Sequence, residues 1–204
     1  MTMSLPLRPD VLAAWCVALG VGMAVSGAFG QPVDLPAAPA CTAPAKPTPS
    51  LTEGPFYKPN SPRRHSLVTD RRPGKRIVLT GYVLTRSCRP VPGAWLDLWH
   101  ADARGAYDNA GFDLRGHEFT DEQGRYWFET IVPGEYPGRT PHFHLKIRAP
   151  GQRILTTQLY FPGEKGNARD ELFNSAVLLK IDRATGRDEE PLLVGRYDFV
   201  LAMP

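Results

Sequence analysis

From Arg76 onward the chain is a succession of short runs in which apolar and polar positions alternate, cut by Gly- and Pro-rich turns. Alternation with a period of two marks a β-strand with one buried face, because successive side chains leave a strand on opposite sides. The runs predict strands over residues 77–84, 94–99, 126–130, 142–149, 154–161 and 196–201. Turn sequences separate them: Arg89-Pro90-Val91-Pro92-Gly93, Asp121-Glu122-Gln123-Gly124, Pro133-Gly134 and Ala149-Pro150-Gly151. Several short strands punctuated in this way predict an all-β fold, an antiparallel β-sandwich. One short helix is expected around residues 168–174, and no internal repeat is visible.

Ahead of the strands the pattern differs. Residues 11–25 are almost uninterruptedly apolar, follow Arg8, and run into Ala28-Phe29-Gly30. This reads as a signal segment, residues 1–30, cleaved before Gln31. An uncleaved membrane anchor is the alternative, for which the apolar run is short. Bulky Trp15 before Cys16 argues against a lipoprotein signal. Residues 31–50 form a Pro-rich linker or arm, and residues 51–204 one sandwich domain. An exported protein, periplasmic or secreted, is the expectation.

Composition narrows the class. A hydrophobic fraction of 42% over 204 residues supports a real core, and a net charge of +3 with scattered arginines gives no nucleic-acid footprint. Of the three cysteines, Cys16 leaves with the signal, and Cys41 and Cys88 remain. Export would let them pair, tying the arm to the sandwich; two free thiols are the other reading.

The candidate chemistry centres on His142-Phe143-His144. On a strand both imidazoles project from one face, close enough to share a metal, while Phe143 and Leu145 enter the core. His-x-His alone is an unspecific metal signal: two polar surface histidines are the plain alternative, and a zinc or copper site is another. Tyr107, Tyr136, Arg139 and Gln158 lie near in sequence, and tyrosines beside proline turns are commonly structural. Asp97, Asp108 or Asp113 could complete a two-histidine, one-carboxylate site. His100 reads as structural, and His65 and His117 as solvated. Arg104, Arg115 and Arg125 could favour an acidic substrate, with solvated surface arginines the simpler reading.

The order of motifs is more specific. Trp99-His100-Ala101-Asp102-Ala103-Arg104-Gly105-Ala106-Tyr107 resembles the first tyrosine-ligand loop of the intradiol ring-cleavage dioxygenases, and Thr130-Ile131-Val132-Pro133-Gly134-Glu135-Tyr136-Pro137 resembles the second. Arg139-Thr140-Pro141-His142-Phe143-His144 is similar to the family's Arg-x-x-His-x-His strand, and Leu155 to Phe161 to the strand after it. Thr52-Glu53-Gly54-Pro55-Phe56-Tyr57 and Tyr197-Asp198-Phe199-Val200-Leu201 match its opening and closing segments. The resemblance implies an Fe(3+) cofactor held by Tyr107, Tyr136, His142 and His144. It implies that Tyr136 leaves the metal when substrate binds, that Arg139 stabilises negative charge on the substrate, and that Gly54, Pro55 and Gln158 line the pocket. The implied reaction opens a catechol ring between its two hydroxylated carbons with O2, giving a muconate-type product. A helical dimerisation region like that of catechol-type members is not evident before the sandwich, so oligomeric state and the particular catechol stay open. The competing reading is a metal-free transthyretin-like or carboxypeptidase-regulatory-like binding module. Pro92-Gly93-Ala94 and Asp121 to Tyr126 resemble its motifs.

Overall fold

The computed structural model describes residues 1, 39–69, 73–186 and 190–204. The signal-segment reading of residues 1–30, apart from Met1, and the first part of the Pro-rich arm, residues 31–38, fall outside the described residues.

The alternating runs become strands: β1 (Arg76–Leu84), β2 (Trp95–Trp99), β3 (Arg115–Phe119), β4 (Arg125–Ile131), β5 (His142–Arg148), β6 (Leu155–Tyr160), β7 (Lys180–Thr185), β8 (Pro191–Arg196) and β9 (Phe199–Val200). They form two sheets. One runs β4-β1-β8-β7, with β9 on the far end of β1, and the other runs β3-β2-β5-β6. Neighbours are antiparallel except that β1 runs parallel to β8 and β9. β1 lies inside its sheet and is buried from Ile77 to Leu84, which explains its continuous apolar run. Ile77, Leu79 and Val83 of one sheet share a single core cluster with Leu96, Leu98, Phe143, Leu145 and Ile147 of the other. The opposite parity of the second sheet, Trp99, His142, His144, Gln158 and Tyr160, is thereby turned away from Phe143 and Leu145.

Three strands exceed the sequence expectation, and each has a reason. β3 reads Arg-Gly-His-Glu-Phe, and β7 is a largely exposed edge strand rich in charge, so neither shows an apolar alternation. Charge on an exposed edge also discourages pairing with another chain. The closing strand expected over residues 196–201 is instead β8 and β9 with a break at Tyr197-Asp198. There the Asp198 carboxylate accepts the Tyr82 backbone N–H at 3.0 Å in place of a ladder carbonyl. The helix expected over residues 168–174 is absent. Two 3-10 turns, Lys165–Ala168 and Ser175–Val177, flank the segment. Asp170 ends any helix there, since its carboxylate accepts from the Leu172 N–H and from Arg139.

Residues 45–52 are not a loose linker. Ala45 N–H donates to Arg86 O at 2.8 Å, Thr48 N–H to Val200 O at 2.9 Å and Leu51 N–H to Thr156 O at 2.9 Å. Cys41 and Cys88 are joined by a disulfide, with Cα atoms 5.8 Å apart. The arm thus crosses the sandwich and delivers residues 52–57 to the polar face of the second sheet.

Candidate metal centre and active site

β5 presents His142 and His144 two residues apart on that polar face. Both are buried, at 2% and 0% exposure. Their Nε2 atoms face each other at 3.0 Å. His142 Nδ1 lies 2.6 Å from Thr140 O, and a carbonyl can only accept, so Nδ1 carries the proton and Nε2 offers a lone pair. Trp99 of β2 stacks on His144 with centroids 5.0 Å apart and fixes that ring.

The two tyrosines arrive on different loops. Tyr107 comes from the loop after β2, Tyr136 from the turn between β4 and β5. These loops touch backbone to backbone. Gly134 N–H donates to Asp102 O at 2.8 Å. Gly105 has φ +84°, and a Cβ there would lie 2.0 Å from Glu135 O. Only glycine permits both the conformation and the approach. The four rings then close a circuit: Tyr107 to Tyr136 at 5.7 Å, Tyr136 to His142 at 5.6 Å, His142 to His144 at 4.6 Å and His144 to Tyr107 at 6.3 Å between centroids.

Arg139 stands at the edge of this circuit. Its Nε donates to both Asp170 oxygens at 3.0 Å, Nη1 to the Tyr136 hydroxyl at 3.2 Å, and Nη2 to Gln158 Oε1 and the Tyr160 hydroxyl. Gln158 also donates to Thr52 O at 2.8 Å, which joins Arg139 to the arm. Gly54, at φ +71°, lies against His144; a Cβ would sit 3.2 Å from its Cε1. Pro55 is exposed beside it. Phe56 stacks on Tyr107 at 4.3 Å. A cavity of about 110 Å³ is lined by Glu135, Tyr136, Arg139, Thr140 and Asp170.

Electrostatics define what the set can bind. Burial, with a contribution from Arg139, pushes His142 down to about 4, and burial holds His144 well below the usual imidazole range. Both are therefore neutral nitrogen donors at working pH. Burial raises both tyrosines; for Tyr136 the neighbouring Arg139 partly offsets it. The Tyr107 hydroxyl is buried, close to the Tyr136 hydroxyl but with no well-formed hydrogen bond, and such an under-satisfied group normally signals a missing partner. Two neutral imidazoles and two phenols that only a strong cation could ionise fit a hard, highly charged metal ion such as Fe(3+).

The carboxylate alternatives are otherwise engaged. Asp97 accepts from Ser61 Oγ at 2.7 Å and Tyr57 Oη at 3.3 Å, and Asp108 accepts backbone N–H groups of its own loop. Among the described residues no group of three His, Cys, Asp or Glu could hold a metal. His100 is buried and contacts Ala101 O and Thr130 Oγ1, a structural role. His117 and His65 are half-buried and engaged rather than fully solvated: His117 Nδ1 meets Ser61 O at 2.7 Å, and His65 stacks on Trp127. Arg104 is exposed and Arg125 pairs with Asp121, but Arg115 is buried, contrary to the surface role expected of it. The contacts of Asp170 and Tyr160 with Arg139 have no sequence signal, since the partners lie 31 and 21 residues apart along the chain.

Known proteins resemble this chain over the same region. Residues 52–203 match the family described as dioxygenase. The dioxygenase domain of a dioxygenase–carbohydrate-binding protein fusion from Streptomyces sp. SirexAA-E superposes with a TM-score of 0.74 at 50% identity, covering 78% of this chain and 100% of that one. An intradiol ring-cleavage dioxygenase from Tetranychus urticae superposes with a TM-score of 0.68 at 26% identity, covering 78% and 95%. Catechol 1,2-dioxygenase 2 of Acinetobacter lwoffii is 31% identical over 143 residues, 57% of this chain and 52% of that one. The chain spans little more than half the length of the first curated relatives it matches, 52%, 60% and 56%. With the family resemblance running over residues 52–203, the whole sandwich and its polar face, the chain belongs to the intradiol ring-cleavage dioxygenase family.

Proposed function

We propose that this protein is an exported ferric dioxygenase that opens a catechol ring between its two hydroxylated carbons with O2, giving a muconate-type dicarboxylic acid. The observation that carries the reading is the convergence of Tyr107, Tyr136, His142 and His144 beside the anchored guanidinium of Arg139. Those four side chains would hold Fe(3+), which when bound supplies Lewis acidity and a chelation point for the two catechol oxygens.

The chain's own groups do the rest. Thr140 O fixes the His142 tautomer so that Nε2 remains a donor to metal. Tyr136 Oη, which Arg139 contacts, is the atom that would accept a proton from an arriving catechol hydroxyl. Tyr107, with its ring backed by Phe56, would stay in place. Arg139 presents a fixed positive charge where the ring becomes negative during cleavage, and Asp170 keeps it aimed. Gly54 leaves room at His144 for a flat ring, and Gln158 ties that wall to Arg139. Export draws support from the Cys41–Cys88 disulfide, because disulfides persist in oxidising compartments, and from the apolar pattern of residues 11–25.

The test is a visible spectrum of protein loaded with ferric iron, before and after anaerobic catechol. Tyrosinate coordination gives a broad charge-transfer band that catechol moves to longer wavelength, and oxygen uptake follows on admitting air. The Tyr107→Phe variant is expected to lose most of the band. A colourless ferric protein, or full band intensity in that variant, would remove the two-tyrosine site.

A further inference from the structure

The loop carrying Tyr107 contributes no strand of its own between β2 and β3; Asp102 and Asp108 brace it from within by accepting its N–H groups, and side chains from outside it brace the ring. The principal one is Arg115, the first residue of β3, which is 1% exposed. Among the described residues its hydrogen bonds run to main-chain carbonyls. Nε and Nη2 donate to Asp108 O at 3.1 and 3.0 Å, and Nη1 donates to Phe56 O at 2.6 Å. Asp108 directly follows Tyr107, and Phe56 is the residue whose ring stacks on Tyr107. The guanidinium carbon lies 5.9 Å from the Tyr107 ring centroid.

We propose that Arg115 is a positioning residue for Tyr107: one buried guanidinium clamps the chain on both sides of that ring and so sets the direction of its hydroxyl. The proposal rests on the reading of Tyr107 as an iron ligand. A planar fork can reach two carbonyls that diverge from a common point, while an ammonium is a single point of donation on a flexible stem. Burying a cation is costly unless its donors are satisfied, and here the satisfied partners are the two segments that hold Tyr107. Arg64 and Lys58 extend the same arrangement. Arg64 donates to Phe112 O and Arg115 O, and Lys58 donates to Gly111 O at 2.7 Å, but neither reaches the residues flanking Tyr107.

Arg115→Lys and Arg115→Met variants of the full chain test this by two readouts. In the metal-free protein, amide exchange at residues 56–57 and at the hydrogen-bonded amides of Ala110, Gly111 and Asp113 should rise together by about tenfold, the effect of losing a buried hydrogen bond, while β5 stays protected. In protein loaded with ferric iron, the charge-transfer band per bound iron should weaken and shift, more in the Met variant than in the Lys variant. Unchanged exchange in both segments, or a parental band per bound iron, would overturn the proposal; a merely stabilising arginine would lower the melting temperature and leave the band intact. A parent protein that gives no band at all counts against the iron site, and the exchange readout then decides the clamp by itself. Should both variants fail to fold, the parent protein still decides: the Arg115 Nε–H should exchange slowly by nitrogen-resolved NMR, and rapid exchange overturns the clamp.

Discussion

Arg139 makes its contacts through one guanidinium that faces a carboxylate on one side and a phenol, an amide and a second phenol on the other. Asp170, 1% exposed in its side chain, supplies the countercharge that keeps this cation stable and aimed. Asp170→Asn should lower stability by about 3 kcal/mol, since a buried pair loses one partner. It should also depress catechol-dependent oxygen uptake while iron content stays close to parental. Denaturant titration and iron analysis check the two halves. The histidines give a pH prediction. His142 sits at about 4 when folded against 6.5 for the free side chain, so between those values the unfolded chain binds a proton that the folded one refuses. The His142 contribution to the stability of the metal-free protein is therefore full above about pH 6.5, falls with pH through that window and is gone below about 4, a loss on the order of 3 kcal/mol, and His144, also held well below the usual imidazole range, adds to the fall. Melting temperature across pH checks it. His142-Phe143-His144 was legible as a shared face from strand periodicity alone. Asp170 was not, because its partner is distant in sequence and a lone aspartate carries no period.

At the level of elements, the site is where two loops and an arm meet one strand. The loops holding Tyr107 and Tyr136 approach within backbone contact at Gly105 and Gly134. Gly105→Ala would place a methyl 2.0 Å from Glu135 O and force an L-residue to φ +84°. The strained conformation alone costs about 1–3 kcal/mol, and the displaced loops should carry Tyr107 and Tyr136 apart. The expected outcome is a folded variant with a weakened ferric charge-transfer band, read by circular dichroism and visible absorption. Unchanged colour per bound iron would show that the approach of the loops does not matter. The glycines stand plainly in the loop motifs, yet the contact that requires them belongs to neither loop alone. The edge strands β3 and β7 were equally hidden, since their polar composition offers no alternation to read.

Across the molecule, the arm joins the disulfide to the site. Cys41 is bonded to Cys88, residues 45–51 hydrogen-bond along the sandwich, and Thr52 O accepts from Gln158. Reducing the disulfide frees the arm's outer end and removes a constraint on the unfolded chain. Stability should drop by about 2–4 kcal/mol, and Gly54 and Phe56 should lose some of their hold on His144 and Tyr107. Thermal unfolding with and without reductant, alongside the ferric band, measures both effects. A melting temperature indifferent to reductant would show that the arm is held by its hydrogen bonds alone.

The division between sequence and tertiary structure follows the range of the interactions. Periodicity, turn residues and the His-x-His spacing act over a few neighbours. They were enough to predict the sandwich, the core parity of Phe143 and Leu145, and the shared face of the two histidines. Motif order placed Tyr107, Tyr136 and Arg139 beside them as an expectation. What the folded chain alone decided were the contacts between residues far apart along it: Asp170 on Arg139, Arg115 on the carbonyls around Tyr107, and the arm on Gln158. These depend on which surfaces the packed sheets bring together, and no local pattern of apolar and polar positions encodes that.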